Sequence, residues 1–137
     1  MTTYFERVHE DAILPERKTK GAAGYDIHAY KSGEIAPRKT VMVETGIKCH
    51  MENKTHLQDH LRSSVGVKND VMLACGVGLI DSDYDEQIYI PIRNLGDKPF
   101  KYQAGERLAQ GVFVPYIKTD NDSVTADRVG GFGSTGK

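Results

Sequence analysis

The residues best suited to chemistry fall in four separated stretches. Residues 78–84 read Gly-Leu-Ile-Asp-Ser-Asp-Tyr, so an apolar run ends in a polar turn holding Asp81, Asp83 and Tyr84. A strand pattern resumes at Gln87, which predicts a β-hairpin with free backbone N–H and C=O groups near its turn. Such groups match the edge of a flat base, and a carboxylate beside them can orient a water and take its proton. Read alone, the same stretch is an acidic turn with a packing tyrosine. Arg62, Ser63 and Ser64, followed by Val65-Gly66-Val67-Lys68, supply a guanidinium, two hydroxyls and backbone amides. They suit a phosphate cradle or a solvated loop. Gln110 interrupts the apolar alternation of residues 107–117 and needs a partner, either a ligand or a neighbouring backbone. Residues 130–137, GGFGSTGK, nearly match a GxxxxGK phosphate loop. That loop follows a strand and opens a helix, a setting absent here, so the match is rejected. The glycines still allow amides to converge on an oxyanion and the segment to close over a ligand.

Strands must position these groups. Tyr25, Ile27 and Ala29 alternate with Asp26, His28 and Tyr30. Residues 40–50 are rich in β-branched side chains, and 71–80 form an apolar run broken by Gly76 and Gly78. Ile88, Ile90 and Ile92 share one parity, as do Val112, Val114 and Tyr116. Short strands separated by turn signals predict an all-β sandwich or barrel. Pro91 within a strand pattern points to an edge or a bulge. Residues 52–62 fit a turn or two of helix or a strand equally well. From about residue 119 apolar groups are scarce, so 1–118 is read as the folded domain and 119–137 as a flexible, glycine-rich lid.

Composition excludes several classes. The 137 residues suit one domain, 39% apolar and 27% charged. A net charge of −1 gives no footprint for a nucleic-acid backbone. No stretch approaches the ~20 apolar residues of a membrane span, and the N-terminus lacks a signal pattern. Cys49 and Cys75 form no CxxC pair and are read as reduced thiols, so a cytoplasmic protein is expected. His56 and His60 are four apart, but residue 57 is Leu and no third ligand is in view, so exposed histidines are expected.

No single stretch is decisive, but the ordered set is. Ala22-Ala23-Gly24-Tyr25-Asp26-Ile27, Arg62-Ser63-Ser64, Gly78 to Tyr84, Gly105-Glu106-Arg107-Leu108-Ala109-Gln110 and Gly130 to Gly136 resemble, in order and spacing, the five motifs of the trimeric dUTPase family. The resemblance runs from about Ala22 to Gly136. It departs from the family at three places. Leu61 replaces a usual proline, Asp85-Glu86 replaces a frequent Arg-Gly, and Arg128 stands four residues before Phe132 where five is common.

The resemblance implies a jelly-roll β-barrel or sandwich of the dUTPase-like β-clip type, and a homotrimer with active sites between subunits. It implies hydrolysis of dUTP to dUMP and pyrophosphate with Mg²⁺ on the phosphates, which keeps uracil out of DNA and supplies dUMP for thymidylate synthesis. Asp81 would activate the water that attacks the α-phosphorus. Cys75, Gly78, Leu79, Ile80 and Tyr89 would surround uracil, with Tyr84 on the deoxyribose. Arg62, Ser63, Ser64 and Gln110 would hold phosphates, and Asp26 would contact the metal through water. Arg128, Phe132, Gly133 and Ser134 would close over the nucleotide. The competing readings are a dCTP deaminase of the same fold and a non-catalytic nucleotide-sensing regulator with a protein partner.

Overall fold

The structure, a computed structural model, describes residues 2–133. Its strands are β1 (Tyr4–Arg7), β2 (Tyr25–His28), β3 (Gly33–Ile35), β4 (Thr40–Glu44), β5 (Ile47–His50) and β6 (Thr55–Leu61). One helix, α1 (Ser63–Asn69), precedes β7 (Val71–Leu73), β8 (Gly78–Ile80), β9 (Tyr89–Asn94), β10 (Phe100–Tyr102) and β11 (Arg107–Pro115). The fold is all-β, as expected. Its strands form a four-stranded sheet β2-β11-β6-β8, a three-stranded sheet β4-β9-β7 and the pairs β1-β5 and β10-β3, with no closed barrel among the described residues.

The apolar alternation drives this packing. Ile88, Ile90 and Ile92 are all at most 1% exposed and face Leu57, Ile27 and Leu108 across the interior. Fully burying each such side chain contributes roughly 1.5–3 kcal/mol. Asn94, fully buried, is satisfied where the chain turns. Asn94 donates to the Ile35 and Lys98 carbonyls at 2.9 and 2.7 Å and accepts from the Gly96 N–H at 2.9 Å.

Several expectations are corrected. Residues 40–50 are two strands in different sheets, parted at Gly46. There φ is +71° and a Cβ would lie 2.8 Å from Ala12, so only glycine fits. Residues 52–62, left between helix and strand, carry strand β6 at Thr55–Leu61, and the Arg-Ser-Ser stretch opens α1 instead of a loop. Pro91 lies on neither an edge nor a bulge, since β9 is the central strand of its sheet. Its carbonyl accepts from Ala74 N–H at 2.8 Å, so its ring nitrogen faces the same side, just beyond the end of β7. The register shift falls in β11, between Arg107 and Ala109. On β11 the inward residue is Phe113, opposite Leu57, while Val112 and Val114 lie half-buried on the outer face beside Gln58 and His56.

Candidate active site

A cavity of about 510 Å³ opens between the two larger sheets. One wall is β8, Gly78 to Ile80, whose backbone pairs with β6. The opposite wall is Leu73, Ile90 and Pro91 from the three-stranded sheet. Asp81, Tyr84, Tyr89 and Cys75 complete the lining. Cys75 is an exposed free thiol, whereas Cys49 is buried and burial pushes its thiol up to about 12.

The expected hairpin is not one. β8 pairs with β6 and β9 pairs with β4 and β7, so residues 81–88 cross from one sheet to the other. The crossing is tied down locally. Tyr84 N–H donates to the Asp81 carbonyl at 3.1 Å, and the Tyr84 hydroxyl donates to the Gln87 carbonyl at 2.6 Å. Gln87 in turn accepts from Gly46 N–H at 2.7 Å. Burial, with Glu86 nearby, raises the Tyr84 phenol above its ordinary value. Tyr84 is therefore a rigid neutral plate beside Asp81.

The C-terminal segment folds back on this cavity. Arg128 donates from Nε to Asp83 at 2.9 Å, from Nη1 to the Gly130 carbonyl at 2.7 Å and from Nη2 to Asp81. The hydrogen bond to Asp83 leads the effects that raise the Arg128 guanidinium further. Gly131 lies flat on Tyr84, where a Cβ would come within 2.6 Å of the ring. Phe132 meets Tyr84 and Tyr89 edge-on, with centroids 6.4 and 6.0 Å away. Gly133 lines the cavity, and Ser134 lies outside the described residues.

A second polar group occupies the outer face of the four-stranded sheet. Gln110 stands opposite Asp26 on β2 and opposite His60 on β6, so all three point the same way. Arg107 donates to Asp26 Oδ2 at 3.2 Å, and Arg62 donates to the Arg107 carbonyl at 3.3 Å. Gly24 leaves room for the Gln110 side chain, whose Oε1 lies 2.4 Å from where a Cβ would be. Arg62 is the N-cap of α1, with Ser63 and Ser64 in its first turn. None of Asp26, Arg62, Ser63, Ser64 and Gln110 lines the cavity that holds Asp81. Within one chain the structure brings the sequence-predicted residues together as two groups, not one.

Three further residues had no site role in the sequence reading. Arg107 joins the outer-face group, and so does His60. His56 and His60, expected to be exposed, are half-buried. Asp59 lines the cavity itself, only 5% exposed. The parity Leu57-Asp59-Leu61 was its signal, legible once residues 55–61 are known to be a strand.

The fold and its two polar groups define an all-β domain with a cavity between sheets flanked by acids. The family model described as dUTPase matches residues 10–136, and the chain belongs to the dUTPase family. A deoxyuridine 5'-triphosphate nucleotidohydrolase from Photorhabdus laumondii is 40% identical over 96% of this chain and 91% of its own length. One from Helicobacter pylori strain P12 is 35% identical over 99% and 97% respectively. The crystal structure of dUTPase from Streptococcus mutans superposes with a TM-score of 0.80 at 35% identity, covering 86% of this chain and 99% of that one.

Proposed function

We propose that this protein hydrolyses dUTP to dUMP and pyrophosphate, in a homotrimer whose sites each join the cavity of one copy to the outer-face group of another. The observation that supports this most is the separation of the two groups within one chain, each chemically incomplete. The cavity has a carboxylate and a sugar-sized aromatic plate but, apart from Arg128, no cation. Arg62, Ser63, Ser64 and Gln110 lie outside that cavity. A second copy placed so that the two meet would complete both.

In that site the backbone of 78–80 reads uracil, and a hydrogen-bonded edge of this kind rejects a mismatched base by about 10⁴–10⁵. Tyr84 packs on the deoxyribose, where a 2'-hydroxyl would collide. Asp81 orients a water in line with the α-phosphorus and takes its proton as the new P–O bond forms. The bond from that phosphorus to the bridging oxygen breaks, and pyrophosphate leaves. The phosphates compete with Asp81 and Asp83 for Arg128, so substrate frees the base and draws residues 119–137 over the nucleotide as a lid on the 1–118 domain.

Among the described residues no three His, Cys, Asp or Glu side chains converge on a metal position. A magnesium ion carried by the triphosphate needs no such cage. Asp26, with one oxygen on Arg107, fits the single acid that contacts it through water. Bound there, the ion offsets phosphate charge as a Lewis acid.

The consequence in the cell is removal of a uracil-bearing DNA precursor and supply of dUMP. No helix among the described residues is long and apolar enough to cross a membrane. Pyrophosphate release from dUTP, UTP and dCTP, with and without magnesium, tests the proposal. Release from dUTP alone, lost on chelation, is expected; equal rates on UTP would overturn it.

A further inference from the structure

We propose that Asp59 is the side chain on the inner wall of this cavity that meets the pyrimidine ring, donating a hydrogen bond from its carboxyl group to a ring carbonyl oxygen. This rests on the reading that the cavity takes the base.

Asp59 sits on the middle of three neighbouring strands, with Gly111 opposite it on β11 and Gly78 opposite it on β8. Both neighbours lack side chains on the face where the carboxyl lies. A Cβ on Gly111 would come within 3.2 Å of Oδ1, and one on Gly78 within 3.1 Å of the Asp59 Cβ. The sheet has therefore been cleared around one acid. That acid lines the same cavity as Asp81, yet it is buried whereas Asp81 stands at the rim with its side chain 47% exposed. Its Oδ1 has no hydrogen-bond partner. That oxygen is turned toward Gly111, and a buried polar atom without a partner costs about 1–3 kcal/mol; Oδ2 lies on the side of Gly78, which lines the cavity with Asp59.

The surrounding charges do not explain the acid. Gly78 and Gly111 carry none, and β5 brings only the Cys49 thiol, itself held protonated by burial and by Asp59. Cys75, Tyr84 and Tyr89 around the cavity are neutral side chains, and Asp81 is a like charge. Arg128, the one cation in the lining among the described residues, is engaged by Asp81 and Asp83. Burial alone pushes the Asp59 carboxyl up to about 7. A neutral carboxyl is a donor as well as an acceptor. Uracil presents two carbonyl oxygens and one N–H on its edge, so a neutral acid can give one proton and receive one. An ionised Asp59 would repel those oxygens. A base sealing the cavity dehydrates the acid further, so binding takes up a proton wherever Asp59 begins ionised.

The test is calorimetric titration of the full chain with dUMP between pH 6 and pH 8, with 2-deoxyribose 5-phosphate as the baseless control. For the unaltered protein Kd should rise above pH 7, approaching about tenfold per pH unit, with proton uptake visible as buffer dependence. Asp59→Asn keeps a donor and cannot titrate. It should bind dUMP at pH 6 within about threefold of the unaltered protein and lose the slope. Asp59→Leu, checked for trimer and fold, should lose about tenfold or more at pH 6. A slope preserved in Asp59→Asn would overturn the assignment. If dUMP bound no better than the baseless sugar phosphate, the base-pocket reading itself would fall. Base-dependent affinity with an unchanged slope would sink Asp59 alone.

Discussion

The inter-sheet cavity and the outer-face polar group differ in how far one chain completes them. The cavity has walls, a rim acid, a locked tyrosine and a covering segment, all from the same chain. The outer-face group has aligned donors, the half-buried Arg62 and Gln110 beside the buried Asp26, set on one face of a sheet and not between two sheets. Burial positions the first, and strand register positions the second. Register aligns side chains accurately but encloses nothing. In the homotrimer proposed above, enclosure of the outer-face group comes from another copy.

The sharpest way to break this comparison is at the cavity rim. Asp81→Asn should lower kcat by about 10²–10⁴ while dUTP binding stays within a few-fold, as expected for loss of a general base. Single-turnover kinetics with a nucleotide titration measures both; kcat near that of the unaltered protein would remove Asp81 from the chemistry. Deleting residues 127–137 should come next, with turnover falling about 10²-fold and the proposed trimer still assembled by light scattering, since a lid supplies positioning and water exclusion. Full activity of the truncated chain would reduce the segment to a terminus.

The smallest effect is on stability. Asp59 is held near 7 when folded but has an ordinary carboxylate value when unfolded. The folded state therefore binds more protons between those values, and stability falls as pH rises from about 4 to about 7, then stays level. The full cost is on the order of 4 kcal/mol. Asp59→Asn removes the titration but leaves a buried amide, so a gain of about 2 kcal/mol at pH 8 is expected. Urea unfolding at pH 5 and pH 8 should show the gap between variant and unaltered protein widening with pH. A gap independent of pH would mean that Asp59 titrates normally.

Much of this architecture was legible in residue order. The Ile88, Ile90 and Ile92 parity foretold the core strand. The apolar run before Asp81 is not a core strand, since Val77 and Leu79 are 47% and 61% exposed. Misreadings came where pattern is blind to partners. Two strands flanking a polar turn look alike whether they pair with each other or, as β8 and β9 do, with different sheets. Pro91 was judged by strand position, yet its tolerance depends on which side its nitrogen faces. Asp59 stayed hidden because residues 52–62 fitted two periods, and an inward acid has meaning only once the period is 2. His28 and Asp26, which alternate with Ile27 and Ala29 in sequence, are buried on β2 as Ile27 is, so the alternation did not mark an exposed face.

Mixing subunits tests the central claim most directly. Asp81→Asn and Arg62→Ala chains, each nearly inactive alone, should be unfolded together, refolded and assayed for pyrophosphate release from dUTP. Random assembly gives sites that draw an intact cavity from one copy and an intact Arg62 from another, and about a quarter of normal turnover should return. A mixture no more active than its parents would show that one chain builds the whole site, contrary to this account.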